Sequence, residues 1–376
     1  MVEWFLFSFP DLDPGDQFGR SVAIEGSWLA VGAPNDDGHD NHGRDLGAIY
    51  IYKLVDGAPV FVTSIGDGHP IHVDLDDDDY FGVSSAIGEG YLLVGARGDD
   101  GRGNYEPNPE DHGAKGAVYV FDLNSFALEA VIGHGYDVNV ELANDAFGWD
   151  VDLDGGLLAI AAVFDDGEDD QVRDAGAVYL FEVGNTIREL SLRQIFGHGY
   201  DFDIPLDIED AFGHAVDLEG STLLIGADKD DGADNSVENA GALYVIDHIT
   251  GGMAIIGHGH AIAMELDPRD FFGLVAEIDG RCIAVGASGD DGSDNTISGR
   301  GAVHLLDRQS LSPIGKIGAD YEVDLPLSRF DYSSYFVAMD DDVLLSGAPF
   351  SEPDGAPADL DTGEVYLIRG ACAALR

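Results

Sequence analysis

Asp16-Gln17-Phe18-Gly19-Arg20-Ser21-Val22-Ala23-Ile24-Glu25-Gly26-Ser27-Trp28-Leu29-Ala30-Val31-Gly32-Ala33-Pro34-Asn35-Asp36-Asp37-Gly38 holds the phrase that decides the fold. Two short apolar runs flank an acidic-glycine turn, Phe-Gly opens the first run, and Gly-Ala closes the second. Phe-Gly returns at Phe81, Phe147, Phe212 and Phe272, and a decayed copy, Ser333-Ser334, follows Asp331. Phe18, Phe81, Phe147, Phe212, Phe272 and Ser333 each lie 14 positions before Gly32, Gly95, Ala161, Gly226, Gly286 and Gly347 in turn. A register that survives six copies, at a period of roughly 60 to 65 residues, marks an array of supersecondary units that bury their faces on one another.

Each unit reads as strands, because its apolar runs are short and rich in β-branched and aromatic residues, as in Ala48-Ile49-Tyr50-Ile51-Tyr52. Tyr91-Leu92-Leu93-Val94 and Thr222-Leu223-Leu224-Ile225 are nearly continuously apolar, as expected of a sheet covered on both faces. The expectation is a single all-β domain over residues 1–376, a β-propeller of six four-stranded blades (strands A to D). Glu3 to Phe9 precedes any Phe-Gly copy and is expected to supply strand D of the last blade, beside Glu364 to Ile368, so that no long sheet edge is left open.

Charge narrows the partners. Lys plus Arg number 18 against 72 Asp plus Glu, a formal net charge of -54. Such a surface repels a phosphate backbone, so nucleic acid is not an expected partner. Membrane insertion is not expected either, since no run approaches the ~20 apolar residues of a span. A saline habitat would explain acids spread evenly over the surface. Here they crowd into the loops between strands D and A and between B and C, with a saline background left open as an addition. Cys282 and Cys372 make no disulfide framework and read as a buried thiol and a free thiol near the end of the chain. No signal peptide is visible before the first strand.

Strand direction alternates in a meander, so the A–B and C–D turns share one edge and the D–A and B–C loops share the other. The A–B turns are short acidic-glycine pairs: Glu25-Gly26, Asp154-Gly155, Glu219-Gly220 and Asp279-Gly280. The long polar loops of the opposite edge are where binding is expected. Four B–C loops share Asp-Asp-Gly-x-Asp-Asx. Their acids are Asp36, Asp37 and Asp40; Asp165, Asp166 and Asp169; Asp230, Asp231 and Asp234; and Asp290, Asp291 and Asp294. Oxygen side chains on a glycine turn suit calcium, which takes six to eight oxygens. The same residues also suit a turn capped by its own side chains. Asp99-Asp100-Gly101 starts the motif and then diverges.

The acid before each Phe-Gly (Asp16, Asp79, Asp145, Asp210, Asp270 and, in the decayed copy, Asp331) reads as a backbone cap or as a ligand shared with the neighbouring B–C loop. His134, His198 and His258 open successive D–A loops and read as turn residues. Arg97-Gly98-Asp99 spells an adhesion tripeptide, but its acid belongs to the repeat. No motif of a hydrolase elbow, zinc protease or phosphate loop is present, and no catalytic residue is assigned.

The Phe-Gly and Gly-Ala-Pro copies, the latter complete at Gly32-Ala33-Pro34 and Gly347-Ala348-Pro349, resemble the FG-GAP repeat family, the propeller type of integrin α-subunits, in its bacterial form. The family commonly shows seven blades, whereas six are counted here. Its calcium loops lie in the A–B turn, which is too short here, so any cation belongs in the B–C loops. The resemblance implies extracellular or cell-surface recognition of protein or glycan without catalysis. The alternatives are a carbohydrate-active hydrolase or lyase on the same scaffold, with the irregular insertion Arg102 to His112 as the place to look, and a structural component of a surface assembly or particle.

Overall fold

The structure is a computed structural model; it describes Leu12 and residues 15–56, 58–102, 114–327, 332–340, 343–348, 364–369 and 372. The chain forms two compact units, Met1–Pro205 and Leu206–Arg376. The architecture is an all-β propeller. In the first unit, β1 (Val22–Glu25), β2 (Trp28–Ala33), β3 (Ala48–Val55), β4 (Ala58–Gly66) and β5 (Ile71–His72) make one sheet in that order. β6 (Phe81–Gly88) to β10 (Val138–Asn139) and β11 (Phe147–Asp154) to β15 (Phe202–Asp203) make two more of the same kind. The second unit repeats the plan in β16 (Ala215–Glu219) to β20 (Ile262–Ala263) and β21 (Phe272–Asp279) to β25 (Val323–Asp324). It adds a three-stranded sheet of β26 (Phe336–Asp340), β27 (Val343–Ala348) and β28 (Glu364–Arg369).

Six four-stranded blades are therefore not what the chain builds. Five sheets have a fifth strand of two residues, E, which lies parallel to strand D: Ile65 pairs with Ile71 and Gly66 with His72. A tight turn after strand D brings the D–A loop back alongside its own sheet, so part of what reads as loop is a fixed margin. The expected closing strand, Glu3 to Phe9, lies outside the described residues.

The repeated motif is the contact between neighbouring sheets. Phe81, Phe147 and Phe272 are fully buried and sit against the sheet before their own. The Phe81 N–H donates to the Leu46 carbonyl at 3.0 Å, and the Phe272 N–H to that of Ala240 at the same distance. Gly47 must be glycine for two reasons. Its φ is +92°, and a Cβ there would meet the Phe81 carbonyl oxygen at 2.1 Å. The Gly-Ala at the end of strand B answers to the same need, since a Cβ on Gly32 would lie 2.0 Å from the Gly82 carbonyl oxygen. Within each unit, Phe-Gly of one sheet nests on Gly-Ala of the sheet before, and the 14-residue spacing keeps that fit in register. The decayed copy keeps the contact with smaller side chains, as the Ser333 N–H donates to the Arg300 carbonyl at 2.9 Å.

Two expectations are corrected. Glu25 pairs with Trp28 and Asp154 with Leu157, so the hairpin turns are Gly26-Ser27 and Gly155-Gly156, one residue later than read, with the acid closing strand A. Gly26 at φ +60° and Gly155 at +58° supply the left-handed backbone such turns require. Cys282 and Cys372 are disulfide-bonded, with Cα atoms 6.1 Å apart, and do not remain thiols. The bond ties β22 (Cys282–Ala287) to the end of the chain across 90 residues of sequence. Closing so long a loop contributes about 4–5 kcal/mol on the chain-entropy account. Thiol titration of the denatured, unreduced protein is expected to find none. Cys282→Ser is expected to lower the Tm by about 5 °C or more; two titratable thiols or an unchanged melt would contradict the bond.

Candidate functional site

The D–A and B–C loops meet at one edge of every complete sheet, and a buried carboxylate holds them together. In the first sheet it is Asp36, the leading acid of Asp-Asp-Gly, only 5% exposed. Tyr50 of β3 donates its hydroxyl to Asp36 Oδ2 at 2.6 Å, the Gly38 N–H donates to Oδ1 at 2.8 Å, and His69 of the D–A loop approaches Oδ1 at 3.5 Å. Asp99 takes Tyr119 at 2.7 Å, Tyr136 at 3.0 Å and the Gly101 N–H at 2.7 Å. Asp165 takes Tyr179, Tyr200 and Gly167 in the same way. Asp230 takes Tyr244, His260 and Gly232. A strand C tyrosine, a D–A loop ring and a glycine turn thus converge on one acid in each of these four sheets.

The fifth sheet varies the theme. Tyr321 donates to Asp290 at 2.7 Å, but His304 replaces the strand C tyrosine and stays 3.8 Å away, while Lys316 Nζ lies 3.6 Å from the same carboxylate. Burial pushes the Asp290 carboxyl up, yet His304 and Lys316 outweigh it and hold the group at about 2. Asp36 is likewise held low against burial by His69 and Tyr50. Asp99 and Asp165, held by tyrosine hydroxyls and a backbone N–H, are raised by burial.

The other motif positions are backbone chemistry. Gly38, Gly167, Gly232 and Gly292 have φ between +80° and +84°. The Asx of the motif, Asn41, Asp170, Asn235 or Asn295, is left-handed at φ +50° to +54°, which Asn and Asp tolerate best after glycine. The second acid accepts a backbone N–H eight residues on: Asp37 from Asp45 at 2.8 Å, Asp166 from Asp174 at 2.7 Å, Asp231 from Asn239 at 2.6 Å and Asp291 from Gly299 at 2.8 Å. The third acid, Asp40, Asp169, Asp234 or Asp294, is exposed. Side chains are therefore dispersed: among the described residues, no B–C loop brings three carboxylates within 4.8 Å of one another.

Four of the acids before Phe-Gly are caps, and Asp331 lies outside the described residues. Asp79 accepts the Asp76 N–H at 2.8 Å, Asp145 that of Ala143, Asp210 that of Asp207 and Asp270 that of Asp267. Burial, then the charge of the nearby leading acid, raises them: Asp79 to about 8 and Asp145, Asp210 and Asp270 to about 7, against the cap bond and, at Asp270, the charge of Lys316. His134, His198 and His258 serve the turn through their backbone, their carbonyls each accepting an N–H from the B–C loop at 3.0 Å. The adhesion tripeptide is not on offer as a ligand. Asp99 is buried, and the Arg97 guanidinium stacks 4.4 Å from the Tyr80 ring and 4.9 Å from that of Trp149. Most of the insertion after Arg102 lies outside the described residues.

The tyrosine braces escape a reading of local motifs, although their signal is present. Tyr50, Tyr179, Tyr244 and His304 each follow the leading acid by 14 residues.

The raised caps carry a stability prediction. An acid whose folded pKa exceeds the unfolded value of about 3.9 holds its proton longer when folded, so its stabilisation is present at low pH and lost as pH rises through the folded value. The window here runs from about 4 to about 8. The Tm is expected to fall by about 5 °C or more between pH 5 and pH 8.5 in constant salt, and Asp210→Asn should flatten that slope. A Tm that climbs across the interval would refute the assignment.

Three segments, residues 9–52, 140–181 and 208–246, match the FG-GAP repeat family model. They cover the first, third and fourth copies of the Phe-Gly phrase. No curated protein matches the chain significantly.

Proposed function

The chain carries FG-GAP repeats on a β-propeller, and from that premise we propose that it is a non-catalytic recognition protein of the cell surface or extracellular space, binding protein or glycan through the D–A/B–C edge. The observation that carries this reading is the contrast between the two edges. The edge of the A–B and C–D turns is short: its A–B turns are two-residue hairpins, and the longest C–D connection of the complete sheets is 184–189. The opposite edge holds long acidic loops, each fixed from beneath by a buried carboxylate, and so presents exposed side chains on a rigid base. The disulfide supports an oxidising compartment, where such bonds persist. Raised acids recur from sheet to sheet, Asp79 with Asp99, Asp145 with Asp165, Asp210 with Asp228, and Asp270, and so mark no unique acid and base pair for a glycosidase.

The outer acids concentrate negative potential, which favours a cationic partner or one bridged by a metal ion. Capture on a glycan and protein array, with and without calcium, identifies a ligand. Asp234→Lys with Asp294→Lys is expected to weaken its capture about tenfold or more, and Glu25→Lys, exposed at the end of β1, to leave it unchanged. The reverse pattern would put the binding surface on the other edge.

Calcium is the cation this reading assigns to the edge. Asp36, Asp165, Asp230 and Asp290 are engaged as braces and Asp37, Asp166, Asp231 and Asp291 by backbone N–H groups, so the load falls on Asp40, Asp169, Asp234 and Asp294 with water and loop carbonyls. Exposed acids crowd these loops, as at Asp169 and Asp170, and a cation relieves such like charge. Calcium is expected to raise the Tm more than sodium chloride of equal ionic strength. Equal responses would reduce the effect to screening.

A further inference from the structure

We propose that His42, Asp67, His72 and Asp74 form a binding site for a borderline divalent cation of the zinc class. Asp67, His72 and Asp74 each place one ligand atom within 4.8 Å of the other two. His42 joins them, with Nε2 2.9 Å from Asp67 Oδ1, and His72 Nε2 lies 2.9 Å from Asp74 Oδ1. Two imidazoles and two carboxylates without a thiolate are the donor set of zinc, copper(II) or nickel, whereas calcium seeks oxygen alone.

The orientation of His42 strengthens the case. Its Nδ1 lies 3.0 Å from the His39 carbonyl oxygen, to which it can only donate, and this leaves Nε2 as the nitrogen facing Asp67. A ring nitrogen tied to a carbonyl is the usual arrangement around a protein-bound metal; Nε2 here donates to Asp67 Oδ1, and the cation would take the place of that proton. Gly68, at φ +69°, lets the D–A loop pass close to the histidines, since a Cβ there would lie 3.2 Å from His39 Cβ and 3.6 Å from His42 Cε1. Asp67 is largely enclosed, its side chain 18% exposed, while His42 and His72 are about half exposed and Asp74 is wholly solvated. The cluster is anchored on one side and open on the other, so Asp74 and His72 can close on an ion by side-chain rotation. The cost is one exposed hydrogen bond, from the Gly68 N–H to His72 Nδ1.

The repeat itself provides the comparison. At the position of His42 the other complete motifs have Gln171, Ser236 and Thr296; at that of Asp67 they have His134, His198, His258 and Ala319. At that of His72 they have Asn139, Asp203, Ala263 and Asp324. There Asn139, Asp203 and Asp324 accept the loop N–H that His72 accepts in the first sheet. A carboxylate or amide oxygen thus meets the structural need, and the imidazole adds a nitrogen that the turn does not require. The first sheet departs from its fellows at all of these positions together, and the departures converge on one point.

Calorimetric titration of the full chain with zinc sulfate, after removal of metal by chelation, tests the site. One equivalent is expected to bind about tenfold or more tightly than the remaining acidic surface, in excess calcium. Cobalt(II) in its place should give the visible bands of a low-symmetry nitrogen and oxygen site. His42→Gln with Asp74→Asn should weaken the tight equivalent about tenfold and abolish those bands, and His134→Gln should change neither. Asp74→Asn alone, at a wholly solvated position, carries the test if the double variant lowers the metal-free Tm. Identical titrations of the parent and the Asp74→Asn chain would show an adventitious ion only and overturn the proposal.

Discussion

Everything at the loop edge depends on one buried carboxylate per sheet. Leaving such a group unpaired in the interior would be costly, and three donors from three parts of the chain prevent it. Because those donors sit on strand C, on the D–A loop and on the glycine turn itself, satisfying the charge fixes two long loops relative to their strand. The ring of Tyr50 also packs edge-on against Phe18 at 5.5 Å, as Tyr119 does against Phe81 at 5.3 Å and Tyr179 against Phe147 at 5.4 Å. The aromatic body of the tyrosine belongs to the core and its hydroxyl to the edge. The Phe-Gly contact between sheets and the hydrogen bonds of the loops are therefore mechanically continuous.

This continuity explains why the sequence was legible in some places and opaque in others. The propeller class and the opposed character of the two edges follow from Phe18, Gly32 and their five echoes, because contacts between sheets demand particular residues at particular spacings. Strand E could not be found that way. Ile71 and His72 are two residues paired to Ile65 and Gly66, too short for any period of alternation. The hairpin turns were displaced by one because Glu25 looks like half of an acidic-glycine turn, whereas its backbone still pairs with Trp28. Two cysteines separated by 90 residues carry no spacing rule, and only the packing around β22 brings them together.

The loop acids show how one residue type takes several roles according to burial. Asp230 braces, Asp231 holds a backbone N–H, Asp234 faces solvent and Asp210 caps a turn, all within one sheet. In sequence they are equivalent oxygens, and a cation-binding loop and a self-capped turn look the same. The structure separates these four acids by what each oxygen touches. His304 shows the tolerance of the scheme: where the strand C phenol is lost, Lys316 joins Tyr321 at the carboxylate, and the group is held at about 2.

The covalent bond between Cys282 and Cys372 also bears on how the second unit meets damage. A protease acting on an exposed connection between those two residues would cut the backbone without releasing a fragment, because both pieces stay tethered through sulfur. Such a nicked molecule keeps its strands at high effective concentration and can re-form its sheets. Loss of the segment then requires two events of different chemistry, hydrolysis and reduction, and an environment that supplies only the first leaves the assembly in one piece.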